Sequence, residues 1–444
     1  MLFLAGLMLG VSLIAKPGVL RMLEIEGPIG PATADYVTRG IEDAEADAVA
    51  VIILRMDTPG GLDQSMREII QGILASPVPV VGYVAPQGSR AASAGTYILY
   101  ACHLAAMAPA TNLGAATPIQ IGGTSPLPHD KPEADKEADK DDDPDRPLSS
   151  EDALRNKVVN DAQAYIRSLA ELRGRNADWA VRAVTEAATL TAVEAHKLNV
   201  IDLIADDTPA LIEALHGRTV MMKDGEHVLD TVGADLQLVE PGWRTEFLRV
   251  ITNPSVAYFL LLIGIYGLIL EFYSPGIGAG GIIGSICLLI ALYALQLLPI
   301  SYSALALMLL GLGMMAAEAF TPSFGLLGGG GIVAFIIGSI MLMDTDVPGF
   351  RIALPVILAL AAVSAGVMII VLNLLLRSRR KPLVSGSSTL VGRMAEVVDP
   401  GEGEPMVLIQ GELWRAKCPG TLNVGDRVQV KKVSGLVLDV EKEE

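Results

Sequence analysis

The sequence predicts three parts in order: an α/β domain, a helical bundle of membrane character, and a small all-β barrel. Three observations carry this. Through about the first 240 residues, apolar runs such as AVAVIIL close on glycine turns, the pattern of alternating strands and helices. From Val256 to Leu376 the chain is almost continuously apolar. Beyond Leu390, five short strand-like runs stand between glycine and proline turns.

The stretch from Arg55 to Pro118 justifies the first part and suggests its chemistry. RMDTPGG, SRAASAGTYIL and NLGAATP read as strand, glycine turn, helix, strand, then Ser93 opening another helix. A strand end and a glycine turn present bare N–H groups to an oxyanion. A helix N-terminus favours charge on a nearby nucleophile, so acyl transfer is the chemistry implied. Side chains larger than Ala beside Ser93 would keep a substrate backbone away, and Gly60 and Gly61 allow a turn with positive φ. Taken singly, AASAG reads more readily as close helix packing and GG as an ordinary turn. The two in order, spaced by a strand, favour a site.

DTPGG, AASAGTY and GAATP together resemble the long-form NfeD membrane proteases, relatives of the Clp proteolytic subunit and of signal peptide peptidase A. The resemblance covers essentially the whole chain. It implies a crotonase/Clp-type α/β spiral for the first domain (residues 16–243) and a serine endopeptidase with a Ser-Lys dyad. It also implies apolar cleavage sites, including the C-terminal region of stomatin-like (SPFH) membrane proteins, and a dimeric or larger assembly. By analogy with the Clp relatives, GLDQS is expected beside the substrate as a strand.

The base for Ser93 is weighed on this chain's own residues. Of the five histidines, His103 falls in LYACHLAAMAP, which reads as a buried strand, and His129 in an acidic stretch. The Clp-type enzymes have a histidine about 25 residues after the serine; here that region is the GAATP turn. A lysine remains, since a buried ammonium can lose its proton near neutral pH. Lys131, Lys136 and Lys140 stand among acids that keep them charged. Lys157 opens NKVVNDAQAYIRSLAELRGRN, where Val158, Ala162, Tyr165, Ile166 and Leu169 recur at helical spacing. On residues alone Lys157 is open between a base and a surface pair with Asp161 at i,i+4. The resemblance places the family's lysine here. The expected site is therefore Ser93 as nucleophile, Lys157 as base, the Gly61 and Ala94 N–H groups as oxyanion hole, and Gly60 shaping the turn.

Composition supplies the setting. A mean hydropathy of +0.46 is too apolar for a purely soluble chain, and a formal charge of −17 argues against nucleic acid as partner. Asp130–Asp145 carries nine acids against three lysines, so residues 124–150 are expected to form a disordered acidic insertion. Residues 1–15, MLFLAGLMLGVSLIA, read as a signal peptide or anchor. Five apolar segments, Val256–Leu270, Ala279–Leu298, Ala304–Ala317, Gly325–Met343 and Ile352–Leu376, make up a transmembrane bundle over 254–376. Basic RSRRK at 377–381 marks the cytoplasmic end, so a multi-pass protein of the cell (inner) membrane is expected, its first domain extracytoplasmic and its tail cytoplasmic.

The bundle repeats internally. LEFYSPGIGAGGIIGSI from Leu270 matches AEAFTPSFGLLGGGGIVAFIIGSI from Ala317 at a period of 47. Each unit carries a carboxylate, Glu271 or Glu318, open between an ion site and an interfacial position. The tail, 390–444, suits an OB-type barrel; with Trp414 its only aromatic it reads as a protein-interaction module. Cys102, Cys287 and Cys418 fall in different parts, so no disulfide, metal or cofactor is expected. Besides the protease, a non-catalytic membrane scaffold for SPFH-type proteins remains as alternative. A crotonase-type thioester enzyme would need a coenzyme A pocket in an exported domain.

Overall fold

Strand residues buried on both faces organise the first domain. The computed structural model describes residues 18–118, 150–379 and 390–442, apart from single positions in the turns at 274–277, 322–324 and 344–348 and residues 402–403. The N-terminal apolar run, the acidic stretch Asp130–Asp145 and the end of the RSRRK cluster lie outside the described residues.

The domain opens with β1 (Val19–Glu26), α1 (Pro31–Ala46), β2 (Val49–Asp57), α2 (Asp63–Ala75), β3 (Val80–Val84), β4 (Arg90–Ala92) and α3 (Ala94–Ala101). β5 (Leu104–Met107), β6 (Asn112–Gly114), α4 (Ser150–Leu172), α5 (Ala177–Thr185), β7 (Thr189–Thr191) and α6 (Ala192–Lys197) follow. It closes with β8 (Leu203–Ile204), α7 (Thr208–Leu215), the hairpin β9 (Thr219–Met222) and β10 (Gly225–Val228), β11 (Asp235–Leu238) and α8 (Trp243–Ile251). Six strands form one parallel sheet in the order β11-β1-β2-β3-β5-β8. Alternation along β2 turns Ile52, Leu54 and Met56 into one core, and Val51 and Ile53 into the other. Beside it, β4, β6 and β7 make a small second sheet, tied to β2 through the Thr58–Ala91 bridge. This is the α/β spiral of the crotonase/Clp type, and the catalytic candidates lie beyond the carboxyl ends of its parallel strands.

Three sequence expectations change here. GLDQS is not a strand: Gly61 makes a single bridge to Ile29, and α2 begins at Asp63. α4 begins at Ser150, so Lys157 sits two turns inside the helix rather than at its start, and Val159 rather than Val158 packs on the core. LYACHLAAMAP is split, its first residues ending α3 and only Leu104–Met107 forming a strand.

The five expected apolar segments are the helices α9 (Pro254–Tyr273), α10 (Ala279–Gln296), α11 (Tyr302–Phe320), α12 (Leu326–Met341) and α13 (Leu354–Arg379). α9 and α10 are each long and apolar enough to cross a bilayer. The sequence repeat is also a packing repeat. A Cβ on Gly264 would fall 2.8 Å from Leu288 of α10, and one on Gly311, 47 positions on, 2.6 Å from the Phe335 backbone of α12. Both helix pairs therefore approach backbone to backbone. The repeated carboxylates serve as helix caps. Glu271 accepts from the Gly276 and Gly281 N–H groups, Glu318 from those of Ser323, Gly325 and Gly328.

The tail is a closed barrel of β12 (Met394–Asp399), β13 (Met406–Ile409), β14 (Glu412–Lys417), β15 (Arg427–Ser434) and β16 (Val437–Lys442). Its order β12-β13-β14-β16-β15, with β14 and β16 parallel, is OB-like. Val397, Val407, Val428, Val430 and Leu438 fill it.

Candidate active site

The DTPGG turn leaves β2 at Asp57 and is fixed by Thr58, which is fully buried. The Thr58 N–H donates to the Arg90 carbonyl at 2.7 Å, and its carbonyl accepts from Ala92 N–H at 3.1 Å, locking β4 alongside. Its hydroxyl accepts from the Gly60 N–H at 3.1 Å. Gly60 holds φ +113°, which side chains resist. Gly61 is a close approach: a Cβ there would fall 2.0 Å from the Ile29 carbonyl oxygen. Ile29 N–H donates to Gly60 and Leu62 N–H donates to Ile29, so the Gly61 N–H is turned away from this bridge.

Ser93 stands between β4 and α3 at φ +53° and ψ −117°. Such a conformation costs about 1–3 kcal/mol outside glycine and persists only where the surroundings impose it. Here the Ser93 N–H donates to the Gly114 carbonyl at 3.0 Å. A serine before a helix ordinarily caps it; the Ser93 side chain makes no capping bond. Its hydroxyl faces Gly60, whose missing Cβ would sit 3.0 Å from Oγ. Among the described residues, the Gly61 and Ala94 N–H groups have no hydrogen-bond partner. A hydroxyl beside free backbone donors at a helix N-terminus is an arrangement able to stabilise an oxyanion.

α3 is held at both ends by residues that sequence reasoning passed over. Thr96 Oγ1 donates to the Ala91 carbonyl at 2.8 Å and accepts from Gly114 N–H at 3.1 Å, joining α3 to both short strands. At the other end Arg175, buried and paired with Asp202 at 2.7 Å, donates to the carbonyls of Leu99, Tyr100 and Cys102. Arg173 Nε donates to the Ala101 carbonyl at 2.9 Å. Guanidinium groups on orphan carbonyls suit the negative end of a helix. The only advance signal was the RGR in the stretch after α4.

Ser93 opens into a cleft of about 90 Å³ whose walls are mainly apolar, among them Leu62, Met66, Tyr97 and, on α4, Ala162 and Tyr165. Val347, between α12 and α13, also lines it. Arg67 ties α4 to α2: its guanidinium meets Asp63 at 2.8 Å and Asp161 at 2.7 Å, and lies 4.6 Å from the centre of the Tyr165 ring. Ser93, Gly60, Gly61 and Ala94 are thus brought together. Lys157 is not brought to them: it is exposed on α4, outside the cleft lining. The Lys157–Asp161 pair that the spacing allowed does not form, because Arg67 takes the carboxylate.

His103 is a core residue. It accepts from the Val80 N–H at 3.1 Å, and burial, then the Arg173 charge, lowers its pKa to about 3. Burial likewise pushes the Cys102 thiol up to about 12, leaving it inert.

Family models match along most of the chain. The NfeD1b N-terminal domain matches residues 20–133, the NfeD integral membrane domain 255–374, and the NfeD-like C-terminal, partner-binding domain 387–442. Membrane-bound protease PH1510 of Pyrococcus horikoshii is 32% identical over 446 residues, covering 97% of this chain and 95% of the relative. Membrane protein NfeD1b of Bacillus subtilis is 26% identical over 459 residues, covering 98% and 95%. Among solved structures, the 1510-N membrane protease specific for a stomatin homolog, from P. horikoshii, is 31% identical; the match covers 54% of this chain and 100% of that one, with TM-score 0.42. A variant of the 1510-N stomatin-specific protease in complex with a substrate peptide is 31% identical over 53% of this chain and 97% of that one, with TM-score 0.43.

Proposed function

This chain belongs to the NfeD family of membrane proteins, and from that premise we propose that it is a membrane-bound serine endopeptidase working through a Ser93–Lys157 dyad. One observation carries the reading: Ser93, at a strained φ of +53° and free of any capping bond, stands beside two unengaged backbone donors in an apolar cleft.

In this mechanism the Ser93 Oγ attacks a peptide carbonyl while the neutral Lys157 amine takes its proton. Charge gathering on the carbonyl oxygen is met by the Gly61 and Ala94 N–H groups. Lys157 returns the proton to the leaving amine, and water then resolves the acyl-enzyme, with Lys157 again as base. The dyad needs the N-terminal half of α4 to bring Lys157 to the cleft when substrate binds, a tightening common in apo enzymes. Support for a lysine free to do so is that Arg67 holds Asp161.

The mainly apolar cleft favours apolar cleavage sites. A relative whose solved structures are named for stomatin specificity, and a tail matching a partner-binding domain, support an SPFH-type protein as substrate or partner. We read residues 16–243 as the protease domain, 254–376 as a five-helix transmembrane bundle and 390–444 as the partner-binding barrel, with the protease outside the inner membrane and the barrel in the cytoplasm. A homodimer or larger assembly belongs to this reading.

The test is cleavage of an apolar peptide from a stomatin C-terminus by the full-length protein in detergent, beside Ser93→Ala and Lys157→Ala. Loss of cleavage in both variants establishes the dyad. Loss in Ser93→Ala alone reassigns the base, and no cleavage by folded wild type favours the scaffold.

A further inference from the structure

α8 (Trp243–Ile251), followed by Thr252 and Asn253, joins the first domain to the first apolar helix α9 and has two unlike faces. Thr245, Leu248 and Ile251 are buried, and Arg244 pairs with Asp35 of α1 at 3.1 Å. That face is covered by protein: α8 packs against α1 and also touches α9 and α10. On the other side Trp243 is 83% exposed, Phe247 45% and Val250 55%. At 3.6 residues per turn these three fall within about 60° of one another, a continuous apolar stripe.

What covers that stripe follows from where the chain goes next. Only Thr252 and Asn253 separate α8 from α9, a reach of at most about 11 Å. α9 starts there, capped by Asn253 Oδ1 on the Ser255 N–H at 3.0 Å, and is among the helices long and apolar enough to cross a bilayer. The stripe therefore sits at the level where lipid headgroups begin, and Trp is the side chain enriched at that level, with an apolar body and a polar N–H. We propose that α8 lies in the membrane–water interface on its Trp243–Phe247–Val250 face, so that lipid, and not another protein surface, completes the packing of this helix. Pinned from below by lipid and from above by α1, it fixes the height of the first domain over the membrane. This holds whether or not Ser93 is a nucleophile.

The test uses the chain's three tryptophans, of which Trp179 is buried in the first domain and Trp414 belongs to the barrel. Full-length protein is reconstituted in phosphatidylcholine vesicles with plain or brominated acyl chains. Brominated lipid is expected to remove about a third of the wild-type emission, and almost none of that from Trp243→Phe. Equal emission in both lipids, or equal quenching in the variant, overturns the proposal. Quenching of the Trp243 component by aqueous iodide alone shows a face open to water, and shielding from both quenchers a face covered by protein; either result also overturns it.

Discussion

A Cβ on Gly60 would lie 2.6 Å from the Ser93 Cβ and 3.0 Å from its Oγ, so the glycine turn and the serine meet in direct contact. Gly60→Ala must either displace Ser93 or distort the turn that carries the Gly61 N–H, and its φ of +113° adds strain. Peptide cleavage is expected to fall about 10²–10³-fold, the scale of losing one oxyanion donor. Thermal unfolding should remain cooperative. Near wild-type cleavage rates in Gly60→Ala would disprove the arrangement.

Ser93 is held in its conformation by its N–H bond to Gly114 and by the Thr96 tie between the short strands. Replacing it separates strain from chemistry. Ser93→Gly accepts a positive φ freely and is expected to be about 1 kcal/mol more stable than wild type, while inactive. Ser93→Ala keeps the strain and should melt within about 0.5 kcal/mol of wild type. Identical melting of the two variants in calorimetry would mean that no strain is stored at this position.

Arg67 engages the carboxylate that helical spacing would otherwise offer to Lys157. It holds Asp161, four residues along α4, at 2.7 Å. In Arg67→Met that carboxylate is released on the same helix face as Lys157 and favours the charged ammonium. With Lys157 as the proposed base, the rising limb of the pH profile of kcat/KM is therefore expected to move to higher pH, with a loss of about twofold at neutral pH, the scale of an exposed i,i+4 pair. Adding Asp161→Asn to Arg67→Met should return the profile toward wild type. An unmoved profile in the single variant would exclude Lys157 as the titrating base.

Membrane helices and barrel strands were legible in the sequence because their signals are local: apolar length in one case, alternation between turns in the other. Gly60, Gly61, Ser93 and Ala94 were legible because a close backbone approach demands small residues wherever it occurs. Thr96 and Arg175 were not, since each bonds carbonyls away from it in sequence, 18 positions for Thr96 with Gly114 and up to 76 for Arg175 with Leu99. For Asp161, spacing offers only the i,i+4 neighbour Lys157 as a partner, whereas the pairing with Arg67 spans 94 positions. α8 was missed because its nine residues join two stronger signals.

His103 gives a stability prediction with a definite sign. Burial, then the Arg173 charge, lowers its pKa from 6.5 in the open chain to about 3 in the fold, while the Val80 N–H donates to its neutral Nδ1. The unfolded chain thus binds the proton more readily than the folded one, so the histidine's contribution is complete above about pH 6.5 and is lost as pH falls toward 3. The slope from this one group is about 1.4 kcal/mol per pH unit within that window. Asn at this position keeps an acceptor for Val80 and removes the titration. The wild-type melting temperature is expected to fall more steeply between pH 6.5 and pH 4 than that of His103→Asn, with the two curves converging at acid pH. Parallel curves would show that the imidazole is protonated in the fold, and that the core around β3 and β5 admits more water than its packing indicates.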